Sequence, residues 1–262
     1  MRSLAIGATG MLAQQTNVDV ISNNIANMNT TAYTKRRAEF NDLLYQNIVR
    51  PGAASSAGET IVPSGVQLGL GVRTAAVYRI TGGTGLTNTN NSLDLAIQGR
   101  GYFQIELPEG KGTAYTRDGA FQRNGDGVIV THDGYVVQPE ITIPEDATEV
   151  YINNSGEVWV KQDGETDEIN IGQLELATFV NEAGLEAMGQ NLFLETQASG
   201  APVLDNPDAE GFGSILQGYL ETSNVNAVSE ITELVSAQRA YEMNSKIIQT
   251  SDQMLSTITQ LR

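Results

Sequence analysis

Few side chains in this sequence are equipped for bond-making chemistry, and their spacing argues against most of it. His132 is the single histidine and stands beside Asp133-Gly134, a dipeptide that favours a tight turn. A lone imidazole can serve as a general base, but with no second histidine it cannot build a nitrogen-rich metal site, so a surface turn is the plainer reading. Gly99-Arg100-Gly101 follows the apolar run Leu95-Ala96-Ile97 and supplies the first two glycines of a dinucleotide-binding loop. The third glycine is replaced by Gln104, and a strand pattern rather than a helix follows, which leaves no helix N-terminus to receive a pyrophosphate. Asp163, Glu165, Asp167 and Glu168 crowd one short segment, and a solvated acidic loop accounts for them better than the two separated carboxylates of glycoside hydrolysis. Asp126 and Asp133 have turn spacing, not that of a calcium loop. Cysteine is absent, which removes any disulfide, thiolate nucleophile or thiolate metal ligand. Met11, Met28, Met243 and Met254 fall in helical stretches, where packing is their ordinary role. No catalytic residue, cofactor-binding residue or metal ligand is assigned.

The regularity of the sequence lies at its two ends. Leu234, Tyr241, Ile248 and Leu255 recur every seven residues, with Ile247, Met254 and Leu261 on a second line of the same spacing. No Gly or Pro follows Gly218. This predicts one long amphipathic helix whose seam must be covered. Asn224 or Asn226 offers an N-cap, and Glu230 and Glu233 suit the first turns through the helix dipole. At the other end Leu4, Met11, Val18 and Ile25 are also seven apart, with Gly7, Gln14, Ile21 and Met28 three residues on. A second seamed helix is expected there, weakened in its first turns by Gly7 and Gly10. A seamed helix is marginal by itself in water. Two coverings satisfy the pair equally: the ends close on each other within a globular monomer, or many copies pack these ends together.

Between the ends the character changes. Asn23, Asn24, Asn27 and Asn29 favour caps and turns and end the first helix. Arg36 to Ile48, with Phe40, Leu43, Leu44 and Ile48, reads as a short second helix. Pro51-Gly52 and the small residues from Ala53 to Gly58 then form an irregular arm, after which Val66, Leu68, Leu70 and Val72 alternate as a hairpin strand. All 7 prolines lie from Pro51 to Pro207, and Asp-Gly turns begin at Asp118, Asp126, Asp133 and Asp163. Between them stand short β-rich pieces, and Asn153-Asn154-Ser155-Gly156 reads as a hairpin turn. The fold class is therefore α+β: N- and C-terminal helices paired in a coiled-coil-like domain, a central all-β domain built as a sandwich or small barrel, and an extended β-hairpin arm. The expected segments are a helical 1–48, an arm at 49–75, an all-β 76–216 and a C-terminal helix at 217–262 that pairs with the first.

Lys and Arg total 15 against 31 Asp and Glu, a net charge of -16. That weighs against nucleic acid and anionic membrane as partners. No apolar run reaches membrane-spanning length, so no membrane insertion is expected. The first twenty residues lack the apolar core and cleavage site of a secretory signal.

The residues also carry a resemblance. Ala26-Asn27 with Thr30 and Tyr33 resembles the N-terminal signature of the bacterial flagellar rod and hook axial proteins. DLAIQGRGYFQI from Asp94 and YTRDGAFQRNGDGVIVTHDGYVVQP from Tyr115 are similar to that family's entry into its β domain. The run GYLETSNVNAVSEITELVSAQRAYEMNSKIIQTSDQML from Gly218 resembles its terminal helix. The match spans essentially the whole chain and is nearest to the distal-rod members, through DLLYQNIVRPGA from Asp42 and the following PSGVQLGLGVR. Two positions depart: the family usually has Gly where Ala32 stands and often Lys where Thr34 stands.

The resemblance implies a structural subunit without catalysis or cofactor, one that polymerises into a rigid hollow helical drive shaft. Such a shaft transmits torque from motor to hook across the periplasm and conducts exported subunits through its channel. Implied partners are further copies of the chain, proximal rod subunits, the hook protein, the surrounding basal-body rings and the flagellar type III export apparatus, which exports without cleaving a signal. The paired terminal helices would form the inner layer, with the arm stiffening the tube. Assembly contacts are then expected at Leu4, Met11, Val18, Ile25, Asn27, Tyr33, Leu234, Tyr241, Ile248 and Leu255. A proximal rod or hook subunit of the same family, and a secreted β-domain binding module, are the competing readings.

Overall fold

The computed structural model describes residues 2–51, 64–108, 112–162 and 168–260. Part of the expected arm, from Gly52 to Pro63, and the acids Asp163, Glu165 and Asp167 lie outside the described residues, as does Leu261. The chain is shared between two compact units in interleaved order. One takes 1–26, 36–79 and 225–262, and the other takes 27–35 and 80–224.

The first unit contains both long helices, α1 (Arg2–Ala26) and α2 (Ala227–Gln260). α2 starts where a cap is available. The Oδ1 of Asn226 accepts from the backbone amides of Val228 and Ser229 at 3.0 and 3.2 Å, satisfying donors that have no partner inside the helix. Gly7 and Gly10 of α1 lie against Ile248 and Asn244 of α2, while Asn24 lies against Glu230. The two helices therefore run antiparallel.

The rest of this unit is a two-stranded ribbon. β1 (Arg36–Asp42) and β2 (Tyr45–Val49) form its outgoing side, and β3 (Val66–Gly69) and β4 (Val72–Arg79) its return. β1 pairs antiparallel with β4 from Arg36↔Arg79 to Asp42↔Val72, and β2 pairs with β3. The amide of Leu43 donates to the carbonyl of Gly71 at 2.9 Å and carries the ladder between the two pairs. The short helix expected over Arg36–Ile48 is thus corrected to strand. Its apolar residues fit either period over so short a run. The decision falls to non-local partners. The Asn24 side chain holds both the amide and the carbonyl of Arg36, and β4 supplies the remaining ladder.

The second unit is β throughout its main body. Its central strand, Tyr102–Glu106, pairs along one edge with Thr113–Thr116 and along the other with Val136–Gln138 and Leu176–Thr178. Successive side chains of a strand point to opposite faces. Phe103 and Ile105 enter the main core with Leu95, Phe121, Ile129, Val158, Leu176 and Ile215, while Tyr102 joins a second cluster with Tyr115, Phe179 and Leu185. Ring pairs lock both clusters edge to face: Phe103 and Phe121 at 5.1 Å, Tyr115 and Phe179 at 4.8 Å. A separate three-stranded sheet, 147–152, 157–162 and 169–173, turns at Asn153–Gly156 as the sequence predicts, with the Gly156 amide donating to the Asn153 carbonyl at 3.0 Å.

Residues 27–35 belong to this β unit by hydrogen bonding. The amide of Ala32 donates to the carbonyl of Glu221 at 2.8 Å. The Lys35 amide donates to Oδ1 of Asn224 at 2.7 Å, and the Nδ2 of Asn224 donates to the carbonyls of Ile80 and Gly82. Asn224 therefore staples three chain segments, leaving Asn226 to cap α2.

Candidate assembly surfaces

The residues with chemical potential are engaged structurally. His132 sits in a turn, half exposed, with Nε2 3.3 Å from a carboxylate oxygen of Asp133. Gly99 and Gly101 adopt φ of +124° and +144° and turn the chain from strand Leu95–Gln98 into strand Tyr102–Glu106, where no helix begins. Arg100 between them pairs with Glu182 at 3.0 Å. A cleft of about 750 Å³ lies beside these residues, lined by Gly82, Gly83, Arg100, Arg117 and Glu182 among others. Its two guanidiniums are already committed, Arg100 to Glu182 and Arg117 to Glu221.

The seam residues are placed as follows. Leu4, Met11, Val18 and Ile25 are all half-buried on α1, and Leu234, Ile248 and Leu255 are half-buried on α2. Tyr241, in the same line, is 44% exposed. Asn27 and Tyr33 belong to the β unit instead. There the Asn27 side chain accepts from Thr30 Oγ1 at 3.1 Å, and the Tyr33 carbonyl accepts from the Asn224 amide at 3.3 Å.

The second line of the α2 seam is corrected. Ile247 and Met254 were expected beside Leu234 and Ile248, but they are 48% and 60% exposed. The line that turns inward is Glu230, Ala237, Asn244 and Ser251, three of them buried and Asn244 half-buried. Small residues win because α1 presents glycine. An added Cβ on Gly7 would stand 2.9 Å from Ile248 Cγ1, and one on Gly10 2.9 Å from Asn244 Nδ2. Helices that approach so closely have no room for a second line of large side chains. The signal was present in the sequence as Gly7, Gly10 and Ala13 on one helix and Ala237 and Ser251 on the other. It was outweighed by hydrophobicity.

A consequence is a line of large apolar side chains left in the open. Met243, Ile247, Met254 and Ile258 are 61%, 48%, 60% and 63% exposed. On the ribbon, Leu44, Tyr45 and Ile48 are exposed as well. Single exposed apolar residues are ordinary, whereas a line of them along one helix marks a surface used for association.

This build, terminal helices on either side of a β middle in sequence, is matched by the family models of flagellar rod and hook axial subunits. Three family models match this chain in order: "Flagella basal body rod protein" over residues 4–34, "Flagellar hook protein FlgE/F/G D1 domain" over 96–160, and "Flagellar basal body rod FlgEFG protein C-terminal" over 216–261. The chain is 60% identical over 262 residues to the flagellar basal-body rod protein FlgG of Caulobacter vibrioides, covering 100% of both chains. It is 54% identical to FlgG of Agrobacterium fabrum over 99% of this chain and 98% of that one, and 41% identical to FlgG of Bacillus subtilis over 100% and 99%. The chain belongs to the FlgG family of flagellar basal-body rod proteins. It is a structural protein of the flagellar basal body, not an enzyme.

Proposed function

We propose that this distal-rod subunit polymerises into a rigid hollow helical shaft that carries torque from motor to hook and passes exported subunits along its channel. The observation that carries the reading is the exposed line Met243, Ile247, Met254 and Ile258 on a helix whose adjoining face is already occupied by α1. Burying such a line against a neighbour removes apolar area from water at about 25 cal/mol per Å². A surface that meets a different surface on the next copy propagates without closing, which is the requirement for a helical tube. The helix pairs form a coiled-coil-like inner layer in this reading, and the β unit forms the outer wall. The ribbon of β1 to β4 acts as the arm, placing Leu44, Tyr45 and Ile48 against adjacent subunits. Proximal rod subunits, the hook protein, the basal-body rings and the type III export apparatus are the partners at the ends, around and upstream of the shaft.

Electron microscopy of the concentrated full-length protein tests the reading. Straight tubes are expected. Discrete dimers, or monomers at every concentration reached, would remove polymerisation from the account.

A further inference from the structure

Along most of its length the antiparallel pair of α1 and α2 has a seam that repeats. Gly10 faces Asn244, and Gly7 faces Ile248. Seven residues further along α2 a similar order returns: the polar Ser251 stands in place of the polar Asn244, and the branched Leu255 in place of the branched Ile248. Sliding α2 by one heptad, about 10 Å of helix, would therefore offer the glycines of α1 a nearly equivalent set of neighbours. Shape by itself discriminates weakly between the two alignments.

The buried polar contact between the helices does not repeat with the heptad. Glu230 is 2% exposed in the first turns of α2, and its Oε2 accepts from Nδ2 of Asn24 at 3.1 Å. The same Nδ2 donates to the carbonyl of Arg36 at 2.9 Å, and Oδ1 of Asn24 accepts from the Arg36 amide at 2.9 Å. The Asn24 amide is thus fixed in orientation by β1 before it meets α2. After a one-heptad slide, Ala237 would stand where Glu230 stands now, and the carboxylate would leave the amide that compensates its burial. A buried polar group that is satisfied in only one alignment penalises the others.

We infer that the Asn24–Glu230 contact, anchored on the Arg36 backbone, sets the register of the terminal helix pair. The packing seam supplies attraction, and this pair supplies the choice among its repeats. Register in turn decides where the exposed Met243–Ile258 line stands along α1. The inference concerns the fold of one chain and holds whether or not the chain polymerises.

The absence of cysteine makes the register directly measurable. An ideal Cβ on Gly10 lies 3.1 Å from Asn244 Cγ, close to the separation of a Cβ from its partner's sulfur in a disulfide. Gly10→Cys with Asn244→Cys reports the observed register, and Gly10→Cys with Ser251→Cys reports the slipped one. Each pair is introduced into the full-length chain, oxidised mildly, and read by peptide mass spectrometry of the monomer-sized band. With Glu230 intact the 10–244 bridge should dominate. With Glu230→Ala the 10–251 bridge should rise about tenfold or more, whereas Glu230→Gln, which keeps an acceptor for the Asn24 amide, should restore the original preference. The inference is overturned if Glu230→Ala leaves the preference unchanged, or if Glu230→Gln slips as far as alanine does. It is equally overturned if Glu230→Ala abolishes both bridges, since the pair then permits helix packing rather than choosing its register, or if the intact chain never forms the 10–244 bridge.

Discussion

The Nε of Arg117 donates to Oε2 of Glu221 at 2.8 Å, and the two side chains are 13% and 2% exposed. The remaining polar atoms are also occupied. Thr84 Oγ1 donates to Oε1 of Glu221 at 2.6 Å, and the other guanidinium nitrogens of Arg117 reach the carbonyls of Ile97, Gly99 and Gly101. Glu221 also receives the amide of Ala32 on its backbone. The ion pair therefore joins the glycine turn at 99–101 to the strand Tyr219–Glu221, whose backbone in turn holds the segment 27–35. Burial of two charges is costly, and it is tolerated here because each nitrogen of the guanidinium and each oxygen of the carboxylate has a hydrogen-bond partner.

Removing one partner leaves the other charge buried and uncompensated. Glu221→Ala should cost the β unit about 3–5 kcal/mol, read by denaturant unfolding followed through Trp159, the single tryptophan, which lies in strand Glu157–Gln162. Arg117→Met combined with Glu221→Leu should cost clearly less than the sum of the two single changes. Strict additivity would mean the pair is not coupled.

Ala32 has φ +54° and is 5% exposed. A left-handed backbone costs an L-residue about 1–2 kcal/mol, which glycine escapes. Against that strain stand the loss of one buried methyl, about 0.8 kcal/mol, and the added freedom of the unfolded chain. Ala32→Gly should raise the melting temperature of the β unit by a few degrees. A fall would show that the methyl contributes more by packing than the backbone loses by strain.

Ile247 and Ile248 are adjacent but face different surroundings. Ile248 lies against Gly7, whereas Ile247 is 48% exposed. Ile248→Glu should lower helical circular dichroism and impair assembly together. Ile247→Glu should leave the helical signal and the Trp159 melt unchanged and still suppress tube formation. Tubes formed normally by Ile247→Glu would take the exposed line out of the assembly interface.

Tyr115 is pushed above the ordinary phenol value of 10.0, chiefly by burial and secondarily by the nearby Glu195 carboxylate. The folded state therefore holds its proton more tightly than the unfolded chain. Its contribution is complete below pH 10.0 and is lost as pH rises from there through the folded value. Tyr115→Phe should flatten the fall in melting temperature on that alkaline limb while leaving the neutral range nearly unchanged. An equally steep alkaline fall in the variant would assign the loss to other groups.

Deleting Ala53 to Gly65 removes most of the chain that links β2 to β3. If the arm stiffens the polymer, the tubes should bend more readily, giving a shorter persistence length in electron micrographs. An unchanged persistence length would leave stiffness to the helices and the β unit.

Much of this architecture was legible from local pattern. The heptads at both ends, the absence of helix breakers, and the Asp-Gly and Asn-Ser-Gly turns each depend on residues within a few positions of one another. The helix limits Arg2–Ala26 and Ala227–Gln260 and the turn at Asn153–Gly156 follow accordingly. The resemblance of Asp94–Ile105 and Tyr115–Pro139 to the flagellar axial proteins was likewise readable, because those runs record backbone turns and strand faces. The departure at Ala32 left the local turn geometry open, and the structure places that residue at φ +54°.

What the sequence determined by itself was the kind of element at each place and the family to which the chain belongs. Only the tertiary structure decided which line of the α2 heptad turns inward, that Arg36–Val49 pairs as strand, and that residues 27–35 join the β unit. It also brought Asn24 and Glu230 together across 206 residues of chain. The reason is range. Helical and strand periods are set by neighbours along the chain, but the preference for Ala237 over Ile247 at the seam exists only once Gly7 and Gly10 approach from the far end. No window of sequence contains both sides of that contact.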